Sequence, residues 1–320
     1  MKSIERLDGN KKVPEIEKLK DEPHYEKPYG LDVLVRSFYF RHAEKASGNV
    51  GTESGFSTSN ISERGRSESA ILGEQLPETA ADGLKIAWSG SERTKETAEA
   101  MVSGLQKAEE KMFKTREKSK LGVYDYGSKE FADVYLKMWN SNKIAILKEM
   151  KISENDYNEL DTNEQAKIAE KAEESVIQRW LDNPESELAK LSPPEVAAAH
   201  LAIFVRKNIN MPQKLKSGSK VDLLGVTHKT ITEPLLMRII KLDNGGHLEK
   251  LEDIGGSLGL NEGWEVDSFV DEEGEKRVRL FVYRVDRSGD MPKYIKQEYC
   301  VDLEELDRLA ELGLMQQRKS

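Results

Sequence analysis

The chain has 320 residues, 37% of them hydrophobic, which is enough for one large α/β domain or for a core domain with a substantial insertion. The formal net charge of -9 argues against nucleic-acid binding, because such a surface needs clustered Lys and Arg side chains. A single cysteine, Cys300, excludes an intramolecular disulfide. The N-terminus lacks the apolar stretch of a secretory signal, and no apolar run approaches the roughly 18 residues of a membrane span. We therefore expect a cytoplasmic protein that binds neither nucleic acid nor membranes.

The first strand pattern follows a charged lead-in that contains several prolines. Residues 1–30 are predicted to form an extended or disordered arm. Leu31 to Phe40 is a nearly continuous run of apolar and β-branched residues, typical of a strand covered on both faces. The run ends at Arg41 and His42. After a loop, a helix with an N-terminal serine cap is predicted over Ser62 to Leu76.

Two further strand patterns are each followed by a helix signal. Leu84 to Trp88 is a short strand pattern, and the spacing from Ser89 to Glu92 is that of a capping box at a helix start. Val221 to Val226 is the third strand pattern, and His228 follows it closely, before a helix that contains Pro234 in its first turn. A hairpin and a final amphipathic helix are predicted over Trp264 to Val270 with Arg279 to Arg284, and over Asp302 to Leu314.

The stretch over residues 107–216 is helical in pattern, highly charged and without a convincing strand. We interpret it as an α-helical insertion that divides a core domain made of residues 31–106 and 217–320. Strands that alternate with helices predict a three-layer α/β/α sandwich with a mostly parallel sheet. The predicted fold class is therefore α/β with a large α-helical insertion.

Four side chains with a shared chemistry follow the three predicted strands. Arg41 and His42 end the first, Arg93 lies just beyond the second, and His228 ends the third. Because reactive groups in α/β sheets gather beyond the carboxyl ends of the strands, we expect these four side chains to meet. Arginine forks suit the oxygens of a phosphoryl group, and a neutral imidazole can attack phosphorus. The set favours phosphoryl transfer, with His42 as the nucleophile.

Four short motifs surround these side chains in chain order. They are Phe40-Arg41-His42-Ala43-Glu44, Ile61-Ser62-Glu63-Arg64-Gly65, Ser89 to Ala98, and Gly225-Val226-Thr227-His228. Together they resemble the histidine phosphatase superfamily in its phosphoglycerate mutase-like first branch, over residues 31–105 and 221–284. The resemblance implies that His42 is phosphorylated and that Arg41, Arg93 and His228 complete its phosphate pocket. It also implies a small phosphorylated substrate and no metal or other cofactor.

The chain departs from the family pattern beside each histidine. Ala43 replaces the usual glycine after the first histidine. Lys229 follows the second histidine, where it either adds a positive charge to the pocket or points to solvent. In the family, helical insertions such as the one predicted here often cover the pocket as a cap and select substrates.

Departure of the leaving group needs a carboxylic acid as proton donor. The resemblance places this acid after the second arginine, where the segment Tyr126-Gly127-Ser128-Lys129-Glu130 is similar to the family pattern. Glu130 is therefore the predicted proton donor, with Glu44 and Asp133 as alternatives.

The resemblance implies a phosphatase that hydrolyses a phosphomonoester or phosphoramidate through a phosphohistidine on His42. Two alternatives stay open. A phosphoglycerate-type phosphomutase would return the phosphoryl group to a different oxygen, although the long charged insertion does not resemble the shorter insertion of such mutases. A non-catalytic phosphate-binding module would keep the pocket without its acid.

Overall fold

A mixed β-sheet lies at the centre of the computed structural model of the chain. The structure describes residues 29–46, 60–77, 84–109, 121, 129–242, 245–271 and 273–318. The predicted N-terminal arm, apart from its last two residues, lies outside the described residues. Within the described ranges, each helix is too short or too polar to cross a lipid bilayer.

The sheet contains strands from both halves of the predicted core. The strands of the described residues are β1 Val33–Arg41, β2 Leu84–Trp88, β3 Lys220–Thr227, β4 Ile240–Lys241, β5 Gly263–Val270, β6 Lys276–Asp286 and β7 Lys293–Val301. Their order is β2-β3-β1-β5-β6-β7-β4. Strand β3 pairs in parallel with β2 on one side and with β1 on the other. Beyond β1 the pairing is antiparallel, through β5, β6, β7 and β4 in that order. The predicted α/β class is confirmed, and its parallel part is formed by the three strands that end at the predicted site residues.

The register of these parallel strands aligns their carboxyl ends. Arg41 of β1 pairs with Thr227 of β3, and the backbone amide of His42 donates to the Thr227 carbonyl over 3.0 Å. Trp88 at the end of β2 pairs with Val226 of β3. The three chain segments therefore leave the sheet at one edge, as the strand patterns predicted.

Helices cover both faces of this sheet. The α-helices of the described residues are α1 Glu63–Gly73, α2 Glu92–Glu109, α3 Lys129–Glu149, α4 Glu154–Glu159, α5 Thr162–Asp182, α6 Glu187–Leu191, α7 Pro194–Ile209, α8 Lys229–Ile239 and α9 Leu303–Gln317. Successive side chains of a strand point to opposite faces of the sheet. Phe38 and Phe40 pack in one hydrophobic cluster with α2, whereas Tyr39 packs in another with α7, α8 and α9. One cluster lies between the sheet and α2, and the other lies between the sheet and helices α7, α8 and α9. The sheet is therefore the middle one of the three predicted layers.

Helices α3 to α6 have a hydrophobic cluster of their own, in which Trp180 is almost fully buried. Ala197 near the start of α7 belongs to that cluster, whereas Leu201 and Val205 further along α7 pack with the sheet. Helix α7 therefore connects the two groups of helices. The division of the chain into a core and an insertion over residues 107–216 stays a prediction.

Candidate active site

The imidazole rings of His42 and His228 lie edge to face at the ends of β1 and β3, with their centroids 5.1 Å apart. The His42 side chain is buried and that of His228 is half-buried, and both rings lie in an environment that disfavours a positive charge. The two residues are far apart in the sequence and meet because their strands are parallel neighbours in register. The predicted pair of histidines thus forms one site.

The surroundings of His42 prepare one ring nitrogen for attack. Nδ1 lies 2.7 Å from the Ala43 carbonyl oxygen. Because a carbonyl oxygen only accepts, this bond assigns the proton to Nδ1 and leaves a lone pair on Nε2. Burial and nearby positive charges, above all that of Arg93, lower the pKa of His42 well below its usual range. His42 is therefore a neutral imidazole with a free Nε2 at neutral pH.

A chain of hydroxyl groups orients His228. Its Nε2 lies 2.9 Å from Oγ of Ser89, which donates to Oγ1 of Thr94 over 3.1 Å. The Thr94 hydroxyl in turn donates to the Ser91 carbonyl over 2.8 Å. This order of donors assigns the His228 proton to Nε2. Burial and the charge of Arg93 lower the pKa of His228 as well, so the ring is neutral.

The two predicted arginines are both buried beside these rings. Nη1 of Arg41 donates to the Leu258 carbonyl over 2.7 Å, which fixes the guanidinium group against the backbone. Arg93 lies in the first turn of α2, and burial lowers its pKa to about 10, so it stays cationic at neutral pH. Both arginines therefore present positive charge to the histidine pair.

Thr97 ties the loop of the first histidine to the helix of Arg93. Its hydroxyl donates to the Arg93 carbonyl over 2.7 Å and accepts from the Ala43 amide over 3.0 Å. Ala43 is fully buried and does not adopt a left-handed backbone conformation, so its methyl group fits where the family usually has glycine. The Thr-Ala part of the second-arginine motif thus has a positioning role.

Two lysines also lie in the pocket. Sequence patterns did not predict Lys45 as a site residue, and they left open whether Lys229 enters the pocket or points to solvent. The Lys229 side chain is only 2% exposed, and its Nζ lies 3.1 Å from Oε2 of Glu173, so it adds charge to the pocket and does not point to solvent. Burial and the charge of Arg93 lower the pKa of Lys45 to about 8. The charge of Lys45 in turn helps to lower the pKa of both His42 and His228. Its position three residues after His42 was the available signal.

Two carboxylates of α5 face this group of cations. Oε1 of Glu170 accepts from Nη1 of Arg41, and Oε2 of Glu173 accepts from Nη2, both over 2.9 Å. Burial alone would lower the pKa of Arg41, but these carboxylates outweigh it and raise the pKa. Oε1 of Glu173 also accepts from the Tyr135 hydroxyl over 3.2 Å. Only the packing of helices α3 and α5 shows these residues to be part of the site.

The predicted proton donor Glu130 lies in the first turn of α3 with an exposed side chain. It forms no hydrogen bond or ion pair with another residue that the structure describes, and the same holds for the exposed alternative Asp133. The other part of the motif, residues 126–128, lies outside the described residues. The structure therefore brings Arg41, His42, Arg93 and His228 together without a described contact to Glu130, whose role stays a prediction.

Glu44, the remaining alternative proton donor, contacts the residue that caps the start of α1. Its carboxylate accepts from the Ser62 hydroxyl over 2.9 Å, and that hydroxyl accepts from the Gly65 amide as the helix cap. A Cβ atom on Gly65 would lie 2.8 Å from the Glu44 carbonyl oxygen, which explains the glycine in this motif. Glu44 is thus engaged in positioning the loop after β1.

Several solved structures resemble the chain, whereas neither protein-family models nor curated proteins match it. The apo form of a phytase from Hafnia alvei is 12% identical, with 89% of this chain and 98% of that chain covered and a TM-score of 0.49. A phosphoglycerate mutase from Bacillus anthracis is 16% identical, with 77% and 92% covered and a TM-score of 0.40. A phytase from Klebsiella sp. is 13% identical, with 88% and 95% covered and a TM-score of 0.47. At these identities the likeness concerns the fold, and the side chains of the pocket remain the basis for a function.

Proposed function

We propose that the chain hydrolyses a small phosphomonoester or phosphoramidate in the cytoplasm, by transferring the phosphoryl group to His42 and then to water. One observation carries the proposal: a neutral imidazole with a free Nε2 lies among buried or half-buried cationic side chains from distant parts of the chain. These cations are Arg41, Lys45, Arg93 and Lys229. Such a pocket suits an anion whose charge must be held during attack by the imidazole.

The proposed reaction has two displacements at phosphorus. Nε2 of His42 forms the N–P bond while the bond to the leaving oxygen breaks, and that oxygen takes up a proton. A water molecule then cleaves the N–P bond, which releases inorganic phosphate and the free imidazole. The cations stabilise the non-bridging oxygens in both displacements, and the hydrogen bond to the Leu258 carbonyl holds the Arg41 guanidinium in place before the substrate arrives.

The carboxylates around Arg41 support an anion site in this pocket. Arginine binds carboxylate and phosphate oxygens with the same fork of N–H donors. In the structure, Glu170 and Glu173 accept from the two terminal nitrogens of that fork. A bound phosphate would replace at least one of these carboxylates. Because both are on α5, the helices of the predicted insertion would face the substrate and influence its selection.

Hydrolysis of p-nitrophenyl phosphate tests this proposal. We expect the wild-type protein to turn over this substrate and to form an acid-labile phosphoprotein. The His42→Ala variant should do neither. His247→Ala is the matched control, because its half-exposed ring pairs with Asp302 and has no place in the proposed pocket. Phosphate binding without hydrolysis by the wild type would contradict the proposal and favour a binding module. Interconversion of the two phosphoglycerate isomers without net hydrolysis would instead favour the mutase.

A further inference from the structure

The leaving oxygen of a phosphomonoester needs a proton, and the carboxyl group of Glu173 is positioned in the pocket to give it. We infer that Glu173, on helix α5, is the proton donor of the reaction. This inference rests on the proposed function, and it assigns the donor to a residue outside the motifs from which the resemblance was read. The inference is based on the contacts that the side chains of Arg41, Tyr135 and Lys229 make with the Glu173 carboxylate.

Two hydrogen bonds and one ion pair hold the Glu173 carboxylate in the pocket. Nη2 of Arg41 and Nζ of Lys229 lie 2.9 and 3.1 Å from its Oε2 atom. The hydroxyl group of Tyr135 on α3 lies 3.2 Å from Oε1. Arg41 directly precedes the proposed nucleophile and Lys229 directly follows the second histidine. The carboxylate therefore lies against the ends of both strands that carry the reacting imidazoles.

The charge of Glu173 also reaches the remaining groups of the pocket. It opposes the lowering of the pKa that burial and positive neighbours impose on Arg93, His228 and Lys45. Its side chain is 28% exposed, so it can exchange protons with solvent. The predicted donor Glu130 is also exposed but has no described contact in the pocket.

The two sides of the pocket come from different parts of the fold. In-line displacement puts the leaving oxygen on the side of phosphorus opposite to the nucleophile. His42 is held by the sheet, whereas Glu173 comes from a helix of the predicted insertion, and the side chains of Arg41 and Lys229 lie between the sheet and that helix. A phosphate held by these cations would thus present its leaving oxygen toward α5.

Substrate binding sets the protonation state that an acid requires. Burial alone would raise the pKa of Glu173, but Lys229 and Arg41 outweigh it and hold the pKa well below its usual range in the free protein. A bound phosphate would neutralise the same cations and add negative charge beside the carboxylate, and both effects favour the protonated form. The proton arrives with the substrate monoanion or from solvent. Glu173 gives it to the leaving oxygen and regains one from the water that cleaves the N–P bond.

The charged and titratable groups around Glu173 and its partners Arg41 and Tyr135 come from several elements. Their summed charge is positive, so an arriving anion changes their interactions together with those of Glu173. They are Arg41 and Lys45 after β1, Arg93 on α2, Tyr135 on α3, Glu170 on α5, and His228, Lys229 and Glu233 around the start of α8.

A permanent counter-ion to Arg41 is the rival role for Glu173, and Glu170 provides a matched control for it. Glu170 lies one turn earlier on the same helix and accepts from Nη1 of Arg41 over 2.9 Å. It has no described ion pair with Lys229 and no described hydrogen bond with Tyr135. A counter-ion role would affect all substrates alike, whereas a proton donor matters most for a poor leaving group.

The test compares Glu173→Gln and Glu170→Gln on p-nitrophenyl phosphate and on glycerol phosphate, whose alkoxide is a poor leaving group. We expect Glu173→Gln to lower kcat on glycerol phosphate by roughly 10² to 10⁴, with a much smaller loss on p-nitrophenyl phosphate. Glu170→Gln should change both rates by one common factor. Glu173→Asp, which keeps the acid, should recover part of the glycerol phosphate rate, and it serves as a second variant if the glutamine variant does not fold.

Equal losses on both substrates, or an unchanged rate on glycerol phosphate, would overturn the assignment of Glu173. A selective loss on glycerol phosphate with Glu130→Gln would also overturn it and return the role to Glu130. Each of these outcomes leaves the proposed function intact, because the wild type still turns over. An inactive wild type would instead remove the proposed function and this inference together.

Discussion

The ammonium group of Lys229 lies 3.1 Å from the carboxylate of Glu173, and the lysine side chain is only 2% exposed. Lys229 is the first residue of α8, where the positive end of the helix dipole opposes a cation. Burial of an ammonium group is unfavourable as well. Neither effect stabilises the fold. Binding of an anion in the pocket therefore explains the presence of a lysine at this position better than a contribution to stability does.

Replacement of this lysine should therefore separate activity from stability. We expect Lys229→Met to lower kcat/KM on p-nitrophenyl phosphate at least about tenfold, because the pocket loses one cation. The free energy of unfolding should stay within about 1 kcal/mol of the wild type or rise, since Glu173 keeps its bond to Arg41. Kinetics and urea denaturation of the same preparation measure the two quantities. A large loss of stability with full activity would contradict the functional reading of Lys229.

Loss of Arg93 should have a much larger effect on turnover. A fixed arginine that stabilises the transferred phosphoryl group contributes roughly 10³ to 10⁵ to the rate, and we expect Arg93→Ala to lose a factor in this range. Arg308→Ala is the matched control, because that half-exposed arginine forms its ion pairs on the surface, with Glu195 and Glu305. Comparable rates for the two variants would exclude Arg93 from the phosphate pocket.

Acidification should destabilise the protein through the two histidines of the pocket. The pKa values of His42 and His228 lie well below the ordinary value of 6.5, so the unfolded chain binds more protons than the folded one below that pH. Their contribution to the free energy of unfolding is present above pH 6.5 and is lost as the pH falls toward the lowered values. Urea denaturation across this window measures the slope. The double variant His42→Asn with His228→Asn should have a shallower slope, and an unchanged slope would count against lowered pKa values of these two histidines.

Alanine at Gly65 should disturb the loop that follows the first histidine. The new Cβ would lie 2.8 Å from the Glu44 carbonyl oxygen, so the helix start or the loop must shift. We expect a loss of about 1–3 kcal/mol in the free energy of unfolding, with a lower kcat. Gly289→Ala is the control, because the nearest atom to its Cβ would be 4.0 Å away and its backbone is not left-handed. Thermal denaturation of both variants checks the difference, and equal stabilities would refute the close approach.

Strand patterns and their end residues were enough to predict the centre of the site. Leu31 to Phe40 and Val221 to Val226 are apolar runs that a local pattern identifies, and parallel neighbours in an α/β sheet end at one edge. His42 and His228 meet there for that reason. Strand β7 shows the limit of such patterns: most of its residues are exposed, so it has no apolar run, and it was not predicted. It forms by pairing with β6 and β4.

The sequence by itself determined the α/β class and the group of Arg41, His42, Arg93 and His228, because each lies next to a local pattern with a known place in such folds. Only the tertiary structure decided which carboxylate faces that group. Glu173 is one of many charged residues on helices whose sequence does not indicate which side will face the sheet, and its contacts depend on how α5 packs over the ends of distant strands. Long-range packing of this kind is set by the sum of many weak apolar contacts, which no short segment of the sequence contains.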